Sequence, residues 1–103
     1  MRVHRGLIPH RSKYKWGTAF SVNTKEKVWE RDEGACVYCG APGAEIDHVV
    51  PRRQGGPSIR QNAVVACKSC NMKKGGELKE AMLARAFYHL LRKGESLYWL
   101  DDE

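Results

Sequence analysis

The chain has no hydrophobic run of the roughly 20 residues that a membrane-spanning helix needs, so no membrane partner is expected. Its N-terminus carries basic residues but lacks the hydrophobic segment of a secretory signal, which favours a cytoplasmic location. Internal repeats and low-complexity tracts are also missing. A chain of 103 residues with this composition is expected to form one small domain with a thin hydrophobic core.

Acidic residues are absent from the first 25 positions, although basic residues are frequent there. The formal net charge of the whole chain is +6, which favours a polyanionic partner, most simply nucleic acid. A solvated surface that keeps the protein in solution explains the same charge equally well. Residues 1–23 are therefore predicted to form a basic arm, with Tyr14, Trp16 and Phe20 as aromatic anchors.

The first predicted helix covers residues 24–32. Asn23 or Thr24 can cap its N-terminus, because their side-chain oxygens can accept a hydrogen bond from a free backbone N–H of the first turn. Val28 and Trp29 are expected to face the hydrophobic core.

Two short apolar segments, residues 46–50 and 63–66, predict β-strands. A helix is expected to begin just after Cys67 and to end at Lys74, where two glycines follow. A longer helix is predicted over residues 77–93, with an apolar face that packs on the rest of the domain or forms a dimer. That face consists of Leu78, Met82, Leu83, Ala86, Phe87, Leu90 and Leu91.

Only four cysteines are present, and they form two C-x-x-C pairs, Cys36 with Cys39 and Cys67 with Cys70. Two such pairs of thiolates complete a zinc tetrahedron, with bonds of about 2.3 Å. In a secreted protein they could form disulfides, but in a reducing cytosol this spacing indicates metal ligands. We therefore predict a structural zinc site, which leaves no open position for catalysis.

Asp47 and His48 lie between the two cysteine pairs, and Asn71 directly follows the last cysteine. Oxygen ligands from Asp47 and Asn71 suit Mg²⁺ or Mn²⁺. His48 could take a proton from water near neutral pH. Neighbours in a regular strand point to opposite faces, so Asp47 and His48 can serve one site only if the chain bends there. Pro51 and the glycine loop that follows favour such a bend, and we expect it. Each residue taken singly could instead be an ordinary polar residue of a turn, a strand or a helix surface.

The order and spacing of these motifs resemble the HNH endonucleases, which have a ββα-metal fold. The resemblance covers about residues 24–75 and lies in Cys36-x-x-Cys39, Asp47-His48-Val49-Val50-Pro51, Gly55-Gly56, Asn62 and Cys67-x-x-Cys70-Asn71-x-x-Lys74-Gly75.

The resemblance implies a role for each residue of the motif. Asp47 and Asn71 would be ligands of the catalytic metal, and His48 would be the general base. Asn62 would brace the loop between the strands and help to orient His48. The chain departs from the literal His-Asn-His pattern, and Gly75 offers no third ligand one turn after Asn71, which favours Mg²⁺.

The fold expected is therefore a small α+β domain, with an HNH core at residues 24–75 and a zinc-binding site of four cysteines. The basic arm of residues 1–23 and a helical extension of residues 76–103 would complete one domain over residues 1–103. The basic residues near the site are candidates for contacts with DNA phosphates. They are Arg52, Arg53, Lys68, Lys73 and Lys74.

The function predicted is a metal-dependent endonuclease that hydrolyses phosphodiester bonds of double-stranded DNA, nicking it with low or unknown sequence specificity. The protein would act as a monomer or a weak homodimer. By resemblance, a bacterial or phage-infected cell is the expected setting, with phage packaging or restriction as possible contexts. The alternative is a zinc-stabilised DNA-binding or adaptor module without catalysis.

Overall fold

The computed structural model describes residues 19–101, so most of the predicted arm, including Tyr14 and Trp16, lies outside the described residues. No helix in the described part is both long enough and apolar enough to cross a membrane. Short 3₁₀ turns cover Arg52–Gln54, Arg60–Asn62 and Tyr98–Asp101. The helices and strands are, in chain order, α1 (Val22–Arg31), β1 (Glu45–His48), β2 (Ala63–Ala66), α2 (Lys68–Lys74) and α3 (Glu80–Arg92).

The strands β1 and β2 form an antiparallel pair, with Glu45 opposite Ala66 and His48 opposite Ala63. All four side chains of β2 are buried, because the strand is covered on both faces. Val64 and Ala66 pack with the first cysteine pair and α3, and Ala63 and Val65 pack with Phe20 and Val28 of the N-terminal side. This double burial accounts for the continuous apolar run of β2. The predicted α+β fold is confirmed.

The N-terminus of α1 lies earlier than predicted. The side chain of Ser21 accepts a hydrogen bond from the backbone N–H of Thr24 at 3.1 Å, so Ser21 is the N-cap. The caps predicted at Asn23 and Thr24 are therefore wrong. The helix also begins inside the segment of residues 1–23 that was assigned to the arm.

Three apolar side chains that were expected in the core are exposed. Val28 is fully buried, but Trp29 is 42% exposed, because adjacent helix residues point about 100° apart and only Val28 faces β2. Leu91 is 57% exposed beside the fully buried Leu90 for the same reason. Leu78 is exposed and precedes the first turn of α3, which is shorter at its start than predicted.

The boundaries of β2 and α2 agree with the prediction, whereas β1 is shifted toward the N-terminus. Gly75 ends α2 with a left-handed backbone (φ +59°), which glycine adopts readily. β1 ends at His48 rather than at Val50, since the backbone N–H of Val50 donates to the Asn62 side chain at 2.8 Å instead of to a strand.

A buried polar network fixes the hairpin against the helices. Asp32, just after α1, accepts hydrogen bonds from Arg31 at 2.7 Å and from the backbone N–H of Val65 at 3.0 Å. It also lies 2.7 Å from Nε2 of His89 on α3. Although burial opposes ionisation, these contacts hold the pKa of Asp32 below its ordinary value. The network therefore links α1, β2 and α3 around an ionised carboxylate.

Candidate active site

The four cysteine sulfurs lie within 4.8 Å of one another and form the only such cluster of metal-binding side chains in residues 19–101. The sulfurs of Cys39 and Cys67 are 3.7 Å apart, and none of the four cysteines is in a disulfide. Tetrahedral zinc with bonds of about 2.3 Å separates its sulfurs by about 3.8 Å. The donor set and spacing fit zinc, as the sequence predicted.

Backbone hydrogen bonds position both cysteine pairs. The backbone N–H of Cys36 donates to Ala41 O at 2.7 Å, which closes the turn that carries the first pair. Val37 N–H donates to Val65 O at 2.9 Å and so joins this turn to β2. Cys67 is the N-cap of α2, with its sulfur 3.4 Å from the N–H of Cys70. The protein thus places the four thiols at the junction of β2 and α2.

Asp47 lies on the face of β1 that points toward α2 and the first cysteine pair. Tyr38, between Cys36 and Cys39, donates its hydroxyl to Oδ2 of Asp47 at 2.7 Å. Nζ of Lys74 is 3.3 Å from the same carboxylate. Burial raises the pKa of Asp47 above its ordinary value, although Lys74 and Tyr38 oppose the rise. The carboxylate is therefore held by groups from both sides of the cysteine cluster.

The contacts of Lys74 separate it from the other basic residues near the site. Lys74 is 1% exposed, and its ammonium group also donates to the carbonyl oxygen of His48 at 2.8 Å. Its expected place among the surface contacts to DNA phosphates is therefore not supported. The remaining candidates are exposed on the loop after β1 and on α2: Arg52, Arg53, Lys68 and Lys73.

Asn71 contacts the same face of the hairpin as Lys74. Its side-chain amide donates a hydrogen bond to the carboxylate of Glu45, at the start of β1. Glu45 and Asp47 are two positions apart on one strand and so share a face. The two predicted metal ligands, Asp47 and Asn71, consequently lie on one side of β1, where side chains of α2 contact it.

His48 lies on the opposite face of β1. Its ring stacks on Phe20, with centroids 3.9 Å apart and planes inclined by 17°. The expected bend that would turn Asp47 and His48 to one face is wrong, because β1 stays paired through His48. Within residues 19–101, no hydrogen bond joins the side chains of Asp47, His48 and Asn71 to one another.

The two ring nitrogens of His48 have different surroundings. Nε2 lies 2.8 Å from Oγ of Ser58, whereas Nδ1 has no hydrogen-bond partner in the described part of the chain. Burial, together with the charges of Arg52 and Lys74, lowers the pKa of His48 to about 4. The imidazole is therefore neutral at pH 7.

Asn62 is fully buried and hydrogen-bonds both ends of the loop that follows β1. Its Oδ1 accepts from Val50 N at 2.8 Å, and its Nδ2 donates to Val50 O at 3.1 Å and to Pro57 O at 2.8 Å. Gly56 lies inside this loop, and a Cβ there would come within 1.7 Å of Val50 O. The loop is thus closed tightly around a single side-chain amide.

We expect Asn62→Ala to lower the free energy of unfolding by about 3 to 5 kcal/mol, because it leaves three buried backbone groups without a partner. Asn23→Ala, at an exposed position of α1, is the matched control and should change stability by no more than about 0.5 kcal/mol. Urea unfolding at fixed zinc concentration measures both changes. Equal stability of the two variants would show that the loop does not depend on this amide.

Several residues at this site were missed by the sequence prediction. Tyr38, Ser58 and Glu45 each contact a predicted site residue, but the contacts join positions that are distant in sequence or on different elements. A tyrosine between two cysteines and a serine in a loop are too common to indicate such contacts. Phe20 was expected only to anchor the arm, and its contact with His48 was not foreseen.

The hairpin, the following helix and a cysteine cluster that could bind zinc at their junction define a ββα fold. Residues 36–77 match the model of the HNH endonuclease family. The family resemblance is thereby confirmed.

A much longer protein also resembles part of this chain. The chain is similar to a CRISPR-associated endonuclease Cas9 from Corynebacterium diphtheriae, with 43% identity over 51 residues. The match covers 45% of this chain and 5% of that protein, so the chain spans only a small fraction of its length.

Proposed function

We propose that this protein is a metal-dependent DNA endonuclease that nicks double-stranded DNA by hydrolysing phosphodiester bonds, with little sequence specificity. The observation that carries the proposal is the arrangement around β1. His48 lies on one face with one ring nitrogen that has no hydrogen-bond partner among residues 19–101, and Asp47 and Asn71 lie on the other. The match of residues 36–77 to a family of endonucleases supports the same reaction class.

His48 is suited to act as the general base. A base must be unprotonated before it can accept a proton from water, and a pKa of about 4 keeps this imidazole neutral at pH 7. Nδ1 has no hydrogen-bond partner among residues 19–101, so it would receive the proton. The ring cannot turn freely, because Phe20 covers one face and Ser58 contacts Nε2.

Asp47 and Asn71 offer the hard oxygen ligands that Mg²⁺ and Mn²⁺ prefer. When bound, such a cation would supply positive charge to a phosphate oxygen and to the departing 3′ oxygen. A carboxylate must be ionised to bind a metal. The positive charge of Lys74 favours the ionised form of the buried Asp47. Two protein ligands are too few for a two-metal site, so the proposal includes one catalytic cation.

The opposite placement of the base and the metal ligands suits an in-line reaction. In such a displacement the attacking water and the leaving oxygen stand on opposite sides of phosphorus. A phosphodiester that crosses the edge of β1 to which no strand of residues 19–101 pairs would have His48 on one side and Asp47 with Asn71 on the other. The alternation of side chains along β1 would then serve the chemistry rather than prevent it.

The proposed substrate is double-stranded DNA, approached from the side of Arg52, Arg53, Lys68 and Lys73. We propose a bacterial or phage-infected cell and its cytoplasm as the setting, with phage packaging or restriction as the context. A single active site in a monomer would cut one strand per encounter. A weak homodimer would permit cutting of both strands.

The full chain should convert supercoiled plasmid to the open circle in the presence of Mg²⁺ or Mn²⁺, and linear DNA should appear only later. Omission of the cation should stop the conversion, while zinc measured by mass spectrometry stays bound. Protein that keeps its zinc and binds DNA but leaves the plasmid intact with either cation would instead be the non-catalytic adaptor module.

A further inference from the structure

We propose that Ser58 is a positioning residue that selects the tautomer of His48, holding the proton on Nε2 so that Nδ1 is the basic nitrogen. This inference rests on the proposed function, since it assigns a role to Ser58 in the same reaction. No motif identifies Ser58 in the sequence, and only the folded loop brings it to His48.

The contact has the geometry of a fixed hydrogen bond. Oγ of Ser58 lies 2.8 Å from Nε2 of His48, within the ordinary range for a hydroxyl and a ring nitrogen. Ser58 is only 6% exposed, so water competes little for this contact. Phe20 stacks on the ring face, which limits rotation of the imidazole away from Ser58.

The direction of the hydrogen bond follows from the chemistry that His48 must perform. A neutral imidazole has one protonated and one basic nitrogen, and the partner of one nitrogen sets the state of the other. Nε2 is engaged by Ser58, whereas Nδ1 has no hydrogen-bond partner among residues 19–101 and is the nitrogen left to meet a reacting water. Catalysis therefore requires Nε2–H to donate to Ser58, which leaves Nδ1 free to accept a proton.

The loop places Ser58 through Asn62. The amide of Asn62 donates to the carbonyl oxygen of Pro57, the residue directly before Ser58, at 2.8 Å. The same side chain holds Val50, two residues after His48, through two hydrogen bonds. Asn62 thus fixes the separation of the two chain segments that carry His48 and Ser58. It acts on the imidazole through Ser58, since the hydrogen bonds of its side chain go to Val50 and Pro57.

Ser58→Ala tests the role in catalysis. We expect kcat for plasmid nicking to fall by about 10- to 100-fold, a part of the roughly 10²- to 10⁴-fold that general-base catalysis contributes. KM for DNA, zinc content and melting temperature should stay close to the wild-type values. Ser58→Thr keeps the hydroxyl and should recover most of the rate. Ser69→Ala, on the exposed surface of α2, is the control for loss of a serine hydroxyl.

The tautomer itself can be measured without any cleavage. In the full chain labelled with ¹⁵N-histidine, the imidazole shifts of His48 identify which nitrogen carries the proton. We expect Nε2–H in the wild type and in Ser58→Thr, and a mixture of the two tautomers in Ser58→Ala. A wild-type imidazole protonated on Nδ1, or an unchanged tautomer in a folded Ser58→Ala, would overturn the proposal.

These two readouts separate this inference from the proposed function. If the wild type does not cut DNA, the proposed function fails, while the nitrogen shifts still decide whether Ser58 selects the tautomer. If the wild type cuts and Ser58→Ala cuts equally fast, the positioning role fails and the nuclease assignment stands. If Ser58→Ala does not fold, the wild-type tautomer and the rate of Ser58→Thr decide the question.

Discussion

Cys67→Ser is expected to unfold the domain at room temperature. A structural zinc site contributes on the order of 10 kcal/mol to folding, which is comparable with the total stability of about 5 to 15 kcal/mol of a small domain. The four sulfurs lie within 4.8 Å of one another at the junction of β2 and α2. Loss of one ligand opens the tetrahedron and leaves three thiols crowded without a cation.

The substitution removes the metal-binding role of Cys67 but keeps its role as a helix cap. Cys67 is the N-cap of α2, and serine is one of the best N-cap residues, so the variant keeps the cap. Any loss of stability therefore reports on the zinc site and not on the helix start. Ser69→Ala, two residues later and exposed, should melt like the wild type.

Circular dichroism melting and zinc content by mass spectrometry measure the result. The wild type should hold one zinc per chain and unfold cooperatively, and a zinc chelator should reproduce the effect of Cys67→Ser. A folded Cys67→Ser variant with the wild-type melting temperature would contradict a stabilising role for the metal.

The parts of the fold that short-range patterns specify were predicted well from the sequence. The thiol spacing, the bounded apolar run of β2 and the two glycines after Lys74 are local signals, and β2 and α2 have the predicted bounds. The limits of α1 were less accurate, because Ser21, Asn23 and Thr24 are all good N-caps and the tertiary structure selects one of them. Helical periodicity likewise could not decide whether Trp29 is buried.

The site was predicted in composition but not in geometry. The sequence identified Asp47, His48 and Asn71, yet it suggested that a bend gathers them on one face. The hairpin instead keeps its alternation, with His48 on the far side of β1 from Asp47. The side chains that contact these three residues come from distant positions in the chain, and no sequence motif predicts these contacts. Lys74 is one example. A lysine at the end of a short helix is usually exposed to solvent, but Lys74 is buried against Asp47.

His48→Ala is expected to reduce the nicking rate by about 10²- to 10⁴-fold, the usual contribution of a general base. The variant loses the only described imidazole that lies beside the proposed metal ligands, since His89 contacts Asp32 in the structural network. Binding of DNA should persist, because the exposed basic residues are unchanged. Zinc content should also persist, since His48 does not contact the cysteines.

The control and the rescue make this test specific to the imidazole. His89→Gln, at the other described histidine, should nick at the wild-type rate below its melting temperature. Free imidazole at millimolar concentration should restore part of the rate of His48→Ala, because the truncated side chain leaves a space between Phe20 and Ser58. A His48→Ala protein as active as the wild type would exclude His48 as the base. Since the open nitrogen of His48 is the basis of both proposals, that result would remove the catalytic role of Ser58 as well.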